Sequence, residues 1–440
     1  MEVYARQFGV YEHIKLQTLV SNAVQLSDGR WSLTLQETDE EGHALPKERA
    51  NQQTETFDKL VVCSGVFSGP YIPSYSGRAT FEAAGGELIH SSELADIAEA
   101  RNKRVVVIGY GKSACDVAAE TAKVANSTTV IARHIIWKLP RVILNVVPYQ
   151  LLLLTRLGEA LFLYKNPGLV ARILNGPLHS VRQGMLDSLG WASDKQYGIS
   201  KLGLLPPGKF EEIACASITL VTEGFFEQVH EGTITVRRER EISELGTTAD
   251  GAPGVVLDDG ETFAADLVIA GTGWKQHVPF LSSDVHQCLI DERGNFVLYR
   301  GIQPAKVDNL FFNGYNSSLF SPTSAGTYHS KPLKLFLLIS TEMAALWIAS
   351  AMKGALSLPP ATERHREAKE WVDWLHARGL KHAYGTSHVP FSLAVIDDVL
   401  ADLGESISTV DLVAQWLLPV RPAAYQPVVQ RVLARLQKDS

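Results

Sequence analysis

A segment near the end of the chain's first quarter combines the marks of a buried strand, a tight turn and a helix. Residues 103–116 read Lys-Arg-Val-Val-Val-Ile-Gly-Tyr-Gly-Lys-Ser-Ala-Cys-Asp. The β-branched run Val105–Ile108 is typical of a parallel strand that is buried on both faces. Gly109 permits the tight turn, Gly111 lets the backbone approach a pyrophosphate, and Ala114 lets the helix pack closely on the strand. The segment therefore predicts a dinucleotide-binding turn.

The residues that follow indicate which dinucleotide is bound. The helix expected over Ser113–Val124 offers free N–H groups and a positive dipole end to phosphate. A second strand is predicted over Ser127–Ala132, and it ends at Arg133. An acidic residue there would bind a ribose 2′-hydroxyl, whereas a guanidinium suits a 2′-phosphate. The sequence thus favours NADPH over NADH, the alternative being that Arg133 is only a solvated charge at a strand end.

Composition and cysteine spacing restrict the remaining classes. The chain has 440 residues, enough for two or three domains, and its net charge of −7 without a basic block gives nucleic-acid binding no support. Cys63, Cys115, Cys215 and Cys288 form no C-x-x-C pair and have no histidine at metal-binding spacing. This favours a reducing, cytoplasmic compartment and predicts no metal site. Cys63 and Cys115 are expected to pack inertly on buried faces.

Two apolar segments resemble membrane spans only superficially. Val142–Thr155 is uncharged but is interrupted by Pro148, and Leu335–Met352 contains Glu342. Neither supplies the stretch of about 18 apolar residues that a transmembrane helix needs. Core helices are therefore expected, and peripheral membrane contact by residues 142–164 is the alternative.

Two further strands end on glycine in the same manner. Val61–Gly65 and Val268–Gly273 each run from apolar residues into small ones. Such strand ends are typical of the carboxyl edge of a parallel sheet, where ligands bind; the alternative is ordinary strand-to-loop glycines.

Periodicity and turn residues predict the other elements. The expected elements are a helix over Met1–Phe8, strands over Ile14–Leu19 and Trp31–Gln36, antiparallel strands over Thr233–Arg237 and Val255–Leu257, a turn at Asp258–Gly260, and helices over 140–230 and beyond Thr362.

Taken together, these features resemble the flavin-containing monooxygenases, in particular fungal members. The resemblance departs from the family at Phe81, which lies five residues before Gly86, and at Leu94, where the family has an aromatic residue. Nothing before Gly109 matches the first G-x-G-x-x-G that holds FAD in the family. The FAD domain of this chain is therefore expected to be incomplete on the N-terminal side, with exposed sheet edges. The matching stretches are Phe57–Gly65 with Gly69–Pro73, Gly86–Ser91, Gly109–Asp116, Asp266–Trp274, and Asn309–Gly314 with Glu342–Gly354.

The resemblance implies an α/β flavoprotein with two dinucleotide-binding domains and a helical C-terminal tail. A Rossmann-like NADPH domain would be inserted in an FAD domain. Residues 1–92 and 266–358 would form the FAD domain, and residues 93–265 the NADPH domain, with a helical insertion over about 140–230. Residues 359–440 would form the C-terminal extension.

The resemblance also implies an enzyme that uses FAD, NADPH and O2 to oxygenate a small metabolite at nitrogen, sulfur or carbon, in secondary-metabolite biosynthesis. A Baeyer–Villiger enzyme acting on a ketone and a non-catalytic NADP(H)-binding remnant are the alternatives. No catalytic residue is assigned, since the protein mainly positions and shields the cofactors. The loop 315–328 would either cover flavin or substrate, or be solvated. The implied cofactor-binding residues are Gly109, Gly111, Lys112, Ser113 and Ala114 at the pyrophosphate, Arg133 at the 2′-phosphate, and Cys63, Ser64, Gly65, His90, Ser91, Gly271, Thr272 and Gly273 at the crossover between the domains.

Overall fold

The protein is described from a computed structural model. The structure describes residues 2–39, 45, 52–214, 220–275, 277–315, 334–377 and 393–438. The strands are β1 Thr18–Gln25, β2 Trp31–Glu37, β3 Gln52–Phe57, β4 Leu60–Val62, β5 Gly69–Pro70, β6 Glu87–His90, β7 Arg104–Ile108, β8 Ser127–Ala132, β9 Val142–Ile143, β10 Val147–Pro148, β11 Ile234–Arg238, β12 Ile242–Thr247, β13 Pro253–Leu257, β14 Thr262–Ala264, β15 Leu267–Ala270, β16 Trp274–Lys275, β17 Leu298–Tyr299, β18 Gln303–Pro304 and β19 Leu310–Phe312. The α-helices are α1 Glu2–Gln7, α2 Arg78–Ala83, α3 Lys112–Thr121, α4 Tyr149–Leu153, α5 Arg156–Ala160, α6 Leu169–Asn175, α7 His179–Tyr197, α8 Phe225–Glu231, α9 Ser283–Leu289, α10 Lys334–Met352, α11 Ala361–Ala377, α12 Leu393–Asp402, α13 Thr409–Leu417 and α14 Gln426–Lys438.

A five-stranded parallel sheet with the order β11-β8-β7-β15-β6 carries the predicted dinucleotide turn. Its middle strand β7 is buried on both faces, as its unbroken apolar run predicts. Val105 and Val107 pack in one hydrophobic cluster with α3 and α8, while Val106 and Ile108 pack in another with β12 and β13. Because β7 is packed on both faces, the position of its carboxyl end, where the turn begins, is fixed within the sheet.

The strand predicted over Thr233–Arg237 is present, but its predicted antiparallel pairing is wrong. Ile234–Arg238 joins the five-stranded sheet beside β8 and runs parallel to it. The reason is the crossover through α8, whose buried Phe225 and Phe226 pack in the same cluster as α3. Val255–Leu257 does lie in an antiparallel sheet, between β12 and β14.

The sheet also includes strands from both segments that the sequence assigns to the FAD domain. β6 and β15 pair with each other, and β15 pairs with β7, so that residues 87–90 and 267–270 lie on one side of the strand that carries the dinucleotide turn. The ion pair between Arg104 and Asp266 ties the starts of these strands together, with two side-chain bonds of 2.9 and 2.5 Å. The domain limits remain a prediction.

A second group of strands surrounds the other glycine closure. β4 pairs in parallel with β19, and β1, β2 and β3 form an antiparallel sheet. Trp31 at the start of β2 is fully buried and donates its indole N–H to the Asn309 carbonyl at 3.1 Å. The strand predicted over Ile14–Leu19 instead begins at Thr18, because Gln17 has a positive φ of +49° that interrupts the extended backbone.

Helices α4 to α7 of the 140–230 segment share one hydrophobic core with α10, α12 and α14 of the C-terminal region. Trp347 in α10 and Tyr425 before α14 are among its fully buried side chains. Arg156 of α5 binds Asp397 of α12 through two bonds of 2.6 and 2.8 Å. Across the described part of the chain, no helix has the length and apolar content that crossing a bilayer requires.

Candidate dinucleotide site

The predicted dinucleotide turn lies between the end of β7 and the start of α3. Gly109 has a φ of +111°, which side-chain-bearing residues rarely adopt, and a Cβ placed there would lie 2.7 Å from the Gly271 carbonyl oxygen. Gly109 is thus required twice, by its backbone conformation and by the approach of the neighbouring strand end.

The third small residue of the motif contacts a glycine from the second closure. A Cβ on Gly271 would lie 2.6 Å from the Ala114 Cβ and 2.9 Å from the Ile108 oxygen. Gly271 also donates its N–H to the Ile108 carbonyl at 2.9 Å. The ends of β7 and β15 and the first turn of α3 therefore meet with no space for an added methyl group.

The space beside Gly111 is open, in contrast to the tight packing at Gly109 and Gly271. Gly111 precedes the first residue of α3, has a φ of −72°, and has no atom within 4 Å of the position that a Cβ would take. No side chain caps the N–H groups of this helix end. Among the residues that the structure describes, this is the one place where a parallel strand runs through a glycine turn into a helix. An open cradle with free N–H donors fits a pyrophosphate.

Lys112 and Ser113, both predicted at the pyrophosphate, differ in their surroundings. Ser113 is exposed at the helix start. The Lys112 side chain is 18% exposed and pairs with Asp116 one turn along the helix, and its ammonium lies 3.3 Å from the Thr222 hydroxyl. Thr222 in turn donates to Asp116 at 2.6 Å. The Lys112 charge is therefore largely balanced within the protein.

Arg133 lies at the end of β8, as predicted, on the same sheet edge as the turn. Its side chain is 44% exposed, and its Nε lies 3.6 Å from a carboxylate oxygen of Glu241. Tyr75 belongs to the same surroundings, and burial raises the pKa of its hydroxyl to about 12, so that it is neutral. A solvent-accessible guanidinium held by one long ion pair can turn to a phosphate at small cost.

His90 ends β6 and connects it to the second closure. Its Nε2 lies 3.0 Å from the Gly273 carbonyl oxygen, so this nitrogen carries the proton. Its Nδ1 then accepts the Ser92 N–H at 3.2 Å. The ring stacks edge-on against Trp274 with centroids 4.8 Å apart. The imidazole is fully buried, and burial lowers its pKa.

Replacing His90 by glutamine is expected to weaken the pH dependence of stability. The folded protein keeps this ring neutral, while in the unfolded chain it gains a proton near pH 6.5. The His90 contribution is thus present above about pH 6.5 and is lost as the pH falls below it. Urea unfolding at several pH values measures the slope, with exposed His13→Gln as the control. An unchanged slope between pH 6.5 and 5 in the His90 variant would contradict a neutral buried ring.

The segment after Gly271 pairs with the link that follows the other closure. β16 pairs with β5 in a two-residue antiparallel ladder. The Thr272 hydroxyl donates to the Tyr71 carbonyl, and the Tyr71 N–H donates to the Gly273 carbonyl at 3.0 Å. Ser91 donates its N–H to the Ala270 carbonyl at 3.0 Å. The predicted crossover residues His90, Ser91, Gly271, Thr272 and Gly273 therefore lie together at one sheet edge.

Cys63, Ser64 and Gly65 lie on a different sheet, where β4 ends beside β19. Gly65 has a φ of +78°, and the Ser64 hydroxyl lies 3.4 Å from that of Tyr315. The expectation that Cys63 is buried is wrong, since the thiol lies beyond the three-residue strand and is exposed; Cys115 is buried as expected. Cys215 and residues 316–328 of the predicted covering loop lie outside the described residues.

One aromatic side chain connects the two sheet edges. Trp274 contacts His90 on one side and Phe67, which follows the β4 closure, on the other, with ring centroids 5.8 Å apart. Gly65 leads into the short strand β5, not into a helix. Among the described residues, the β4 edge therefore supplies contacts suited to a flavin's surface but no second helix end for its pyrophosphate.

Sequence reasoning missed the side chains that support the turn from within. These are Asp116, Thr222 and Lys138; Glu241, the exposed partner of Arg133, was missed as well. Except for the Lys112–Asp116 pair within α3, the partners are distant in sequence, and the only local signal is a lysine inside the apolar run Ile135–Leu139.

Sequence similarity assigns the chain to a known family. The family model described as "Flavin-binding monooxygenase-like" matches residues 1–413. Flavin-containing monooxygenase 1 of Rattus norvegicus is 24% identical over 413 residues, which cover 92% of this chain and 66% of the rat protein. The chain thus belongs to the flavin-binding monooxygenase-like family, a class of FAD- and NADPH-dependent oxidoreductases. It spans just under two thirds of the rat protein's length.

Solved structures support the fold class. S-allyl-L-cysteine S-oxygenase from Allium sativum aligns with a TM-score of 0.52 at 16% identity, covering 99% of this chain and 74% of that one. Cyclohexanone monooxygenase from Rhodococcus sp. Phi1, solved with NADP+, aligns with a TM-score of 0.54 at 16% identity, covering 92% and 81%. These neighbours confirm the predicted two-dinucleotide-domain flavoprotein fold with a helical C-terminal region.

Proposed function

We propose that this chain acts as an FAD- and NADPH-dependent monooxygenase that oxygenates a small metabolite at nitrogen, sulfur or carbon with O2. The observation that carries the proposal is the open cradle beside Gly111, next to the exposed guanidinium of Arg133 on the same sheet edge. Membership of a flavin-binding family supplies the reaction class. A role in secondary-metabolite biosynthesis is part of the proposal and rests on the resemblance to fungal members.

The residues of this chain bind and orient the cofactors. The free N–H groups at the start of α3 would hold the NADPH pyrophosphate, and Arg133 would hold the 2′-phosphate. His90 fixes the crossover backbone at Gly273, and Ser64 with Tyr315 would contact the flavin from the other edge. When bound, FAD supplies the redox chemistry that links NADPH oxidation to O2. No acid–base residue is assigned.

The names of two structural neighbours bear on the substrate class. The garlic neighbour's name records oxygenation at sulfur, and the cyclohexanone enzyme's name records a ketone. Both reactions need a small, dry pocket beside the flavin. A cytoplasmic location remains a prediction. The alternative of peripheral membrane contact draws support from Val146 and Leu151 within residues 142–164, which are 76% and 51% exposed.

A spectrum and an oxidation assay test the function. The purified full chain is incubated with FAD, freed of excess, and followed by its visible absorbance, by NADPH oxidation and by O2 consumption. We expect a yellow protein that oxidises NADPH and consumes O2, with Gly111→Ala as an inactive control. S- or N-oxides as products support the main proposal, whereas esters or lactones from ketones identify a Baeyer–Villiger enzyme.

The same experiment can overturn the proposal. A well-folded, colourless protein that binds NADPH without oxidising it, with or without FAD, would be a non-catalytic NADP(H)-binding remnant. Absence of NADPH binding in folded material would contradict both the main function and this remnant.

A further inference from the structure

A buried lysine lies beneath the dinucleotide turn. Lys138 is 1% exposed, and its ammonium donates to the Tyr110 carbonyl at 2.6 Å and lies 4.2 Å from the centroid of the Tyr110 ring. Within the described ranges, no carboxylate forms an ion pair with Lys138. Lysines are rarely buried without a charge partner, because removing an ammonium from water is costly. In the folded protein, the Tyr110 carbonyl and ring take the place of a carboxylate partner for this ammonium.

The bond from Lys138 to the Tyr110 carbonyl determines the direction in which the next backbone donor, the Gly111 N–H, points. Tyr110 lies between Gly109 and Gly111, and no cis peptide bond occurs among the residues that the structure describes. In a planar trans peptide, the carbonyl and the following N–H point in opposite directions. Because Lys138 holds the Tyr110 carbonyl from inside the protein, the Gly111 N–H is directed outward, where the space beside Gly111 is open.

The protein fixes Lys138 firmly. Ser193 of α7 donates its hydroxyl to the Lys138 carbonyl at 2.6 Å. Val221 donates its N–H to the next carbonyl, that of Leu139, at 3.0 Å. The Cys115 thiol, neutral because burial raises its pKa, lies 3.7 Å from the Tyr110 oxygen and satisfies its remaining lone pair.

We infer that Lys138 is a positioning residue for the pyrophosphate of a nicotinamide dinucleotide. It holds the Tyr110–Gly111 peptide so that the Gly111 N–H faces the phosphate, and its unpaired ammonium adds positive potential beneath that anion. This inference rests on the proposed function. It differs from the role of Arg133 because the pyrophosphate is common to NADP+ and NAD+, so Lys138 supports both equally.

The test compares ligands that contain or lack a pyrophosphate. Calorimetry measures the affinity of the full chain and of Lys138→Met for NADP+, NAD+ and adenosine 2′-monophosphate. We expect Lys138→Met to weaken NADP+ and NAD+ by about the same factor, on the order of 10- to 100-fold, and to leave adenosine 2′-monophosphate unchanged. Lys123→Met, at an exposed lysine just beyond the C-terminal end of α3, is the control and should bind all three as the parent does.

A second variant and a structure cover the case in which Lys138→Met does not fold. Lys138→Gln retains an N–H donor for Tyr110 without the charge and should lose less affinity than the methionine variant. A parent structure with NADP+ should place a pyrophosphate oxygen within hydrogen-bond distance of the Gly111 nitrogen, with Lys138 still bound to Tyr110.

Several outcomes would overturn the inference. One is a folded Lys138→Met variant that binds NADP+ and NAD+ as tightly as the parent does. Another is an equal loss of affinity for NADP+, NAD+ and adenosine 2′-monophosphate, because this would indicate general damage to the protein. A bound structure with the Gly111 N–H directed away from the phosphate would also overturn it. If the parent itself binds no dinucleotide, the proposed function fails first, and the two failures are thereby distinguished.

Discussion

Replacing Gly271 by alanine is expected to destabilise the protein strongly, by about 1–3 kcal/mol or more. The new methyl group would lie 2.6 Å from the Ala114 Cβ and 2.9 Å from both the Ala114 Cα and the Ile108 oxygen. The last two atoms belong to backbone that the sheet and α3 hold in place, so the strain cannot be relieved by rotating a side chain. Urea unfolding measures the loss as a lower midpoint.

Gly111→Ala is the matched control for this prediction. It adds the same methyl group at the same sheet edge, in the turn between β7 and α3, but into open space and at a φ of −72° that alanine adopts readily. We expect its unfolding midpoint to equal that of the parent while its affinity for NADPH falls, because the methyl group occupies the ligand's place. Equal midpoints for Gly271→Ala and the parent would show that β15 and α3 do not meet as described.

Replacing Arg133 by alanine is expected to weaken NADPH binding by about 100-fold and to leave NADH almost unchanged. Among the described residues, the exposed guanidinium forms one ion pair, the 3.6 Å contact with Glu241, so it is available to a 2′-phosphate that NADH lacks. Calorimetric titration with both cofactors measures the two constants. Glu241→Gln removes the competing carboxylate and should tighten NADPH binding modestly.

Arg237→Ala is the control for Arg133. Arg237 lies on the adjacent strand β11 and pairs with Glu261 at 2.6 Å, so its removal changes the net charge equally without touching the predicted phosphate position. Similar losses of NADPH affinity in both variants would indicate a diffuse charge effect. Equal losses for NADPH and NADH in Arg133→Ala would refute a specific role at the 2′-phosphate.

The part of the site that local spacing determines could be predicted from the sequence. Val105–Ile108, Gly109, Gly111 and Ala114 perform their structural roles within one short segment, and the strand over Ser127–Ala132 has the predicted bounds. The reason is that a buried strand and a glycine turn leave direct composition signals. That these residues bind a cofactor remains a prediction.

What the sequence could not predict depends on partners far along the chain. Ile234–Arg238 has the composition of any strand, and only the crossover through α8 makes it parallel to β8. Cys63 follows apolar residues, yet it lies beyond a strand of only three residues. Lys138 has a backbone carbonyl as its partner, and a carbonyl has no residue-specific signal.

The close approach of Gly271 and Ala114 also restricts how this chain can diverge. The two positions are more than 150 residues apart, and a methyl group on residue 271 would come within 2.9 Å of the Ala114 Cα and the Ile108 oxygen, whatever side chain residue 114 carries. In relatives that retain this packing, position 271 should therefore remain glycine, while position 114 is free to alternate between alanine and glycine.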